Sequence, residues 1–325
     1  MTVKKDPWFR NRLIRDGIYK AIHEAMRARP EIYIMGEGSH MKVHFDARDI
    51  EQEFPGRIIT LPISEDANSN FAVGLSLAGL VPIVDVISSD FLYRTMDAIC
   101  NTMAKAGAVG DARTMIVRAE FMTGGPTSGQ RIEALFTHIP GLRVAIPSNP
   151  QDAYGLMREA LRYQGVTIFF EDRVIEDATT PPDLEYGKFD DGFNGARVSS
   201  LCSNSGDVTV VSYGLTCRLA ETTLKANNCT VIDLRTLFPL DMLTIIQRVS
   251  TNRKLLVIEP DVRFMGIGAE ICAQVAEILP GCLVRRLGAP RATIPASRDL
   301  HDSIMPSADD IEKIVMEMRI TEVVK

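Results

Sequence analysis

The chain has no paired cysteines. Its six, Cys100, Cys202, Cys217, Cys229, Cys272 and Cys282, include no Cys-x-x-Cys. That argues against a zinc site or a disulfide framework and suits a reducing compartment. Positive charge is not in excess: the formal net charge is -6, so no basic face is expected and nucleic acid is excluded as a partner. No apolar run approaches the ~18 residues of a membrane span. The start, Met1-Thr-Val-Lys-Lys-Asp-Pro-Trp8, carries neither an apolar leader core nor a cleavage signal. A soluble, cytoplasmic protein is expected. The usual catalytic signatures are missing too. There is no Gly-x-Ser-x-Gly elbow, no phosphate-binding Walker loop and no Gly-x-Gly-x-x-Gly opening a helix. His40 and His44 stand four apart, but in a polar, loop-like stretch that reads as solvated rather than as a metal site.

What is present is an ordinary globular composition, 46% hydrophobic and 24% charged over 325 residues, enough for about two domains. Mean hydropathy is +0.03, which hints at apolar surface buried against other chains. Leu13, Ile14, Ile18, Ile22, Ala25 and Met26 form one helical stripe between Arg12 and Arg29. Strands are expected at Ile32–Met35, Ile58–Leu61, Val81–Ile87, Thr114–Arg118, Arg143–Pro147 and Val166–Phe170. An amphipathic helix is expected over Phe91–Ala108, and another over Pro150–Tyr163 with Asn149 as its cap. Strands alternating with helices imply a parallel sheet covered on both faces. Turn-rich sequence between 176 and 206 breaks the pattern. The alternation restarts at Val208–Ser212 and runs to a last helix at Ala308–Met318. The expectation is an α/β domain over 1–185, a linker over 186–206 and a smaller α/β domain over 207–325. The five cysteines after residue 200 read as small buried thiols.

The most informative stretch is Leu61-Pro-Ile-Ser-Glu65, followed by the small-residue run Asp66-Ala-Asn-Ser-Asn-Phe-Ala-Val-Gly74. It sets one carboxylate where an apolar strand becomes a helix. An acid there is poorly hydrated and suited to sharing a proton. The plainer alternative is a helix cap, with Ser64 or Asp66 starting the helix. Phe121-Met-Thr-Gly-Gly-Pro-Thr-Ser-Gly-Gln130 is a polar, glycine-rich loop after a strand, where parallel sheets build their sites. His138, between an apolar helix and a turn, reads as a hydrogen-bonded core residue. Met265-Gly-Ile-Gly-Ala-Glu270 reads as a tight turn rather than a phosphate cradle.

Pro62-Ile-Ser-Glu65, Ala78-Gly-Leu-Val-Pro-Ile83, Gly129-Gln-Arg-Ile-Glu-Ala-Leu-Phe-Thr-His-Ile-Pro-Gly141 and Pro147-Ser-Asn-Pro150, in this order, resemble the β subunit of thiamin-diphosphate-dependent 2-oxoacid dehydrogenases, the E1 component. Asp207-Val-Thr-Val-Val-Ser-Tyr-Gly214, Val231–Asp241, Gly266–Glu270 and Leu287–Pro295 resemble the transketolase C-terminal domain of those subunits. The resemblance spans about the whole chain. It implies a pyrimidine-binding domain followed by a transketolase C-terminal-like domain that supplies subunit contacts. It implies half an enzyme, in an α2β2 heterotetramer. The Mg2+ and diphosphate ligands belong to the α subunit, and a lipoyl acyltransferase (E2) is the conventional acceptor. By the same resemblance Glu65 hydrogen-bonds N1′ of the aminopyrimidine, Phe91 stacks on it, and Ile63, Ile87 and Arg94 line its pocket. Otherwise Phe91, Ile63 and Ile87 would pass as core or strand residues, and Arg94 as an exposed helix charge.

There are departures from the family pattern. The family's acceptor-side histidine position is taken by Ser128, and His138 matches a later, different family histidine. The family's potassium loop is replaced by Arg162-Tyr-Gln-Gly165, leaving the backbone carbonyls of Ala160 and Leu161 as cation ligands. The alternative activity is a two-subunit transketolase-like or acyloin-forming enzyme. A non-catalytic scaffold is the third class, and the retention of Glu65 and Phe91 argues against it.

Overall fold

The computed structural model describes residues 13–37, 48–110, 114–122, 125, 128–172 and 195–322. His40, His44 and most of the turn-rich stretch after 172 lie outside them. In chain order, α1 (Leu13–Ala28), β1 (Ile32–Gly36), α2 (Arg48–Glu53), β2 (Ile58–Thr60), α3 (Glu65–Leu77) and β3 (Val81–Ser88) come first. A 3-10 segment (Ser89–Thr95), a π segment (Ala98–Met103) and α4 (Ala104–Ala108) follow. Then come β4 (Met115–Phe121), α5 (Glu133–Thr137), β5 (Leu142–Ala145), α6 (Pro150–Arg162) and β6 (Val166–Asp172). The second half holds β7 (Arg197–Val198), β8 (Val208–Ser212), α7 (Gly214–Leu224), β9 (Cys229–Asp233), β10 (Thr236–Phe238) and α8 (Met242–Asn252). It ends with β11 (Lys254–Val262), α9 (Ile267–Ile278), β12 (Leu283–Ala289), α10 (Arg298–Ile304) and α11 (Ala308–Ile320).

The strands form two sheets, ordered β10-β5-β6-β4-β3-β1-β2 and β12-β11-β8-β9-β7. Both are parallel except at one edge, where β10 runs antiparallel to β5 and β7 to β9. The expected α/β architecture holds, with these edge strands as the correction. Within the stretch expected as linker, Arg197 and Val198 pair with Asp233 and Ile232.

Alternate residues of the first sheet face two cores. On one face Ile32, Ile34, Ile83, Ile116 and Phe169 pack with the α1 stripe Ile14, Ile18, Ile22 and Met26 and with Ala153, Met157 and Ala160 of α6. On the other, Met35, Val84, Val117, Ile168 and Phe170 pack with Ala72 and Val73 of α3. This second core runs on into Val211, Tyr213, Ile232 and Leu237 of the second half. Each such side chain contributes about 1.5–3 kcal/mol by leaving water. Helix α6 starts as its sequence indicates: the Asn149 side chain accepts the Asp152 N–H at 2.9 Å, with Pro150 in the first turn. Helix α3 stops at Gly79, whose φ of +91° suits glycine.

Phe91–Ala108 is not one amphipathic helix. It rewinds from 3-10 to π to α. Each change of pitch shifts the helical phase, so Leu92, Ile99, Met103 and Ala104 all reach the core.

A charged lock joins the halves. Asp152 of α6 accepts from Arg235 Nη1 at 3.2 Å and from Arg197 Nε at 3.2 Å. Arg197 Nη2 also reaches Asp233 at 3.0 Å and Glu221 at 3.2 Å, and Ser148 Oγ donates to Asp233. Burial pushes the Asp233 carboxyl up to about 6, and Arg197 opposes it. Such a network adds little net stability, but removing one partner strands a buried charge. Asp152→Ala is expected to lower the unfolding free energy by about 3–5 kcal/mol in denaturant titrations. Arg162→Ala, which breaks only the exposed pair with Glu159, is expected to change it by under about 0.5 kcal/mol.

Candidate active site

Strand order reverses between β1 and β3, with β2 added on one side and β4 on the other. In open parallel sheets the crevice outside the carboxyl ends at that point is where sites form. Glu37 follows β1, Glu65 opens α3 after β2, and Ile87 is the last residue but one of β3.

Glu65 is only 6% exposed. The cap alternative is not how α3 begins. Ser64 holds the cap position but its hydroxyl makes no cap bond. Instead the Ser64 N–H donates to Glu37 Oε1 at 2.9 Å, so a carboxylate just after the neighbouring strand takes the N–H of the cap residue. Glu37 was not singled out from the sequence. Its signal is an acid between two glycines directly after a buried strand. Burial pushes its carboxyl up, the Ser64 N–H opposes this, and the charge of Glu65 adds to the rise. Arg94 Nε lies 3.2 Å from Glu65 Oε2, with the arginine side chain 73% exposed. The crevice therefore holds two carboxylates and one solvent-facing cation.

The apolar residues expected to flank Glu65 are largely uncovered. Ile63 is 83% and Phe91 40% exposed, so neither is a core residue. Ile87 is half-buried with φ of +68°, a conformation a β-branched residue strongly disfavours. Thr95 Oγ1 donates to Ser69 Oγ of α3 at 2.7 Å. With the Arg94–Glu65 pair, this fixes the 3-10 segment carrying Phe91 beside Glu65. Asp90 Oδ2 accepts from Ser88 Oγ at 3.1 Å and from the Gly129 N–H at 3.2 Å. The Ser128 loop is thereby tied to the same segment.

Beneath the walls lies buried charge. Arg118 of β4 donates to Glu171 at 2.8 Å through Nε and sits 3.5 Å from Asp85 Oδ2. Arg15 pairs with Glu120 alongside. Burial lifts Glu171 to about 7, with Arg118 pulling it down and Glu120 pushing it up.

Other expected residues fall elsewhere. His138 is exposed at the C-cap of α5, not in the core, because the short helix ends there and turns its last residue outward. Ala160 is buried within α6, and the Leu161 carbonyl accepts from Arg29 Nη1 at 2.6 Å. A protein guanidinium thus holds the oxygen expected to bind potassium, and a second cation there would be repelled. At Met265–Glu270, the Gly268 N–H donates to Glu259 Oε2 at 3.1 Å. A Cβ on Gly266 would lie 2.2 Å from that oxygen. The glycines admit the protein's own carboxylate to the start of α9, which agrees with a close turn. Of the five cysteines expected to be buried, Cys217, Cys229 and Cys272 are, whereas Cys202 and Cys282 are only half-buried; burial raises the Cys229 thiol to about 11.

A second buried cluster lies where the two halves meet, with Arg131, Glu133 and Asp172 from the first and Tyr213, Leu215 and Asp261 from the second. Arg131 binds Glu133 at 2.8 Å and Asp172. Asp172 also accepts the Leu215 N–H at 2.8 Å. Tyr213, fully buried, has its phenol raised by burial. Asp261, near Tyr93, is lifted to about 7 by burial and then by Glu133. A carboxyl raised on folding stabilises the fold below its unfolded value and loses that contribution as pH rises through about 7. Asp261→Asn keeps the acceptor for the Val262 N–H and removes the charge. It is expected to raise Tm by several degrees at about pH 8, with the gap closing toward about pH 4, in thermal scans across pH.

Fold and crevice define a two-domain α/β protein of the transketolase type. Residues 12–175 match the family described as "Transketolase, pyrimidine binding domain", and residues 198–311 match "Transketolase, C-terminal domain". The chain is 30% identical to the pyruvate dehydrogenase E1 component subunit beta of Rickettsia bellii, covering 94% of this chain and 98% of that one. It is 30% identical to the acetoin:2,6-dichlorophenolindophenol oxidoreductase subunit beta of Cupriavidus necator, covering 92% and 94%. A solved split-gene transketolase, an inactive β4 tetramer, aligns with TM-score 0.78 at 20% identity, over 94% of this chain and 97% of that one. The chain belongs to the transketolase-type family of E1 β subunits.

Proposed function

We propose that this chain is the β half of a thiamin-diphosphate enzyme, holding the aminopyrimidine of the cofactor while an α chain holds Mg2+ and the diphosphate. The observation that carries this is Glu65, a buried carboxylate bordered by uncovered Ile63 and Phe91. One carboxylate between apolar walls suits a flat, uncharged heteroaromatic ring. The ring needs one hydrogen-bonding partner and otherwise dry surroundings. When bound, thiamin diphosphate supplies the carbon that attacks a carbonyl and the ring that accepts its electron pair.

The residues of this chain have separable tasks. Glu65 holds a proton against the ring nitrogen N1′, in a poorly hydrated place where that hydrogen bond is strengthened. Phe91 offers its face for stacking. Ile63 and Ile87 exclude water. Arg94 is the counter-charge of Glu65 in the free chain.

The reaction we infer is decarboxylation of a 2-oxoacid with transfer of the acyl unit to a lipoyl carrier on an E2 partner, within a cytoplasmic α2β2 assembly. Ser128 at the acceptor-side position favours a second reading, in which the unit passes to another carbonyl, as in transketolase-like or acyloin-forming enzymes.

The test is co-expression with the adjacent α-like gene and assay of 2-oxoacids and ketose phosphates with an artificial electron acceptor and with lipoyl domains. Glu65→Gln is expected to lower kcat of the complex by at least about 100-fold, and unchanged turnover would overturn the assignment. The isolated chain is expected to bind the cofactor weakly in calorimetry. Tight Mg2+-dependent binding by this chain alone would overturn the division of labour between subunits.

A further inference from the structure

Ile87 is the one β-branched residue among the described positive-φ positions, the others being two arginines, a methionine and glycines. A left-handed backbone is costly for a β-branched residue, so something must hold it. The Asp85 carboxylate does: Oδ1 accepts the Ile87 N–H at 3.0 Å. A hydrogen bond to a carboxylate is among the stronger ones a backbone N–H makes and can offset the backbone cost. The other oxygen, Oδ2, faces Arg118 Nη1 at 3.5 Å, and Arg118 Nη2 lies 2.6 Å from Glu171. Asp85 is thus aimed from below by a buried arginine that is itself held by the next strand but one.

The ladder shows the consequence. Asp85 pairs with Arg118, but pairing resumes only at Ser88 with Glu120, after a register shift. The turn at Ile87 takes up that shift. The chain then leaves the sheet as the 3-10 segment that delivers Phe91 and Arg94 to Glu65. An ordinary extended residue at 87 would carry the strand straight on and misplace both.

We propose that Asp85 is the positioning residue of this site: by bonding the Ile87 amide it sets the left-handed turn that presents Ile87 and Phe91 to the pyrimidine beside Glu65. The use of that wall rests on the cofactor reading above; the turn itself does not. A double-mutant cycle in the α–β complex separates the two. Glycine adopts positive φ freely, so Ile87→Gly removes the need for the bond. Asp85→Ala is expected to raise the half-saturating thiamin diphosphate concentration roughly tenfold and to speed hydrogen exchange across residues 86–95. In an Ile87→Gly background the same substitution is expected to change each by less than about twofold. Asp85→Asn, which keeps the acceptor, is expected to recover most of the exchange protection. Equal effects of Asp85→Ala in both backgrounds would mean that Asp85 serves only as a counter-ion of Arg118, and the proposal would fall. Coupling seen in exchange without any effect of Asp85→Ala on cofactor affinity would keep the turn and remove its role in the site. If Asp85→Ala does not yield a soluble complex, the Asp85→Asn and Ile87→Gly arms decide by exchange alone. Loss of protection in Asp85→Asn as large as that of a fully exposed segment overturns the proposal. Glu65→Gln, which reports on the cofactor reading, is expected to leave exchange over 86–95 unchanged.

Discussion

A guanidinium in the middle of a seven-stranded sheet cannot stay unpaired, and the arrangement around Arg118 follows from that. It is 2% exposed, so its charge must be met by carboxylates on the strands to either side. Glu171 answers from β6 and Asp85 from β3. Both acids stand near the carboxyl ends of their strands, below the crevice. A charge deep in the sheet thereby fixes the heights at which neighbouring strands end. Burial lifts Glu171 to about 7, so near neutrality the cluster carries less negative charge than its carboxylates could supply. Strand ends held this way make a rigid floor, which a site built on three separate loops requires.

The second domain matters to the crevice through contact rather than through chemistry of its own. Strand β10 crosses over and becomes the edge of the first sheet, against β5. Just before it, Arg235 reaches back to Asp152. One core runs through both halves. With continuous apolar packing and a buried ionic lock, hinge motion between the halves would expose apolar surface and strand charges together. The two domains are better regarded as one frame for the crevice than as independently moving parts.

Much of this was readable in the sequence, and the unreadable part has a common cause. Alternating strands and helices, the Asn149–Pro150 helix start and the junction at Glu65 all depend on neighbours within a few residues, and those the chain displays directly. The rewinding between Ser89 and Ala108 does not. It follows from packing Leu92, Ile99 and Met103 into a core made by distant strands. Arg118 and Glu171 lie 53 positions apart, and inside apolar strands each looks like an isolated exception. Glu37 is a lone acid between glycines until the fold brings the start of α3 against it. His138 misled because an apolar run before it suggested a core, whereas the helix it ends is short and opens outward.

On the proposed reading, the acids at two helix starts fit a chain that holds a neutral ring and leaves the diphosphate to its partner. Helix starts present unpaired N–H groups and attract anions. At α3 Glu37 takes the N–H of the cap residue Ser64, and at α9 Glu259 takes the N–H of Gly268. The protein's own acids thus fill two places that could have drawn a phosphate. Near Glu65, Phe91 and Ile63 present exposed apolar faces, which on the proposed reading would pack against the ring. Uncovered, those side chains expose apolar area to water. Burying them under a bound ring and a second polypeptide recovers about 25 cal/mol for each Å2 removed from water. On the proposed reading that gain would act in the same direction as a hydrogen bond from Glu65 to the ring, so that cofactor binding and subunit assembly would reinforce each other.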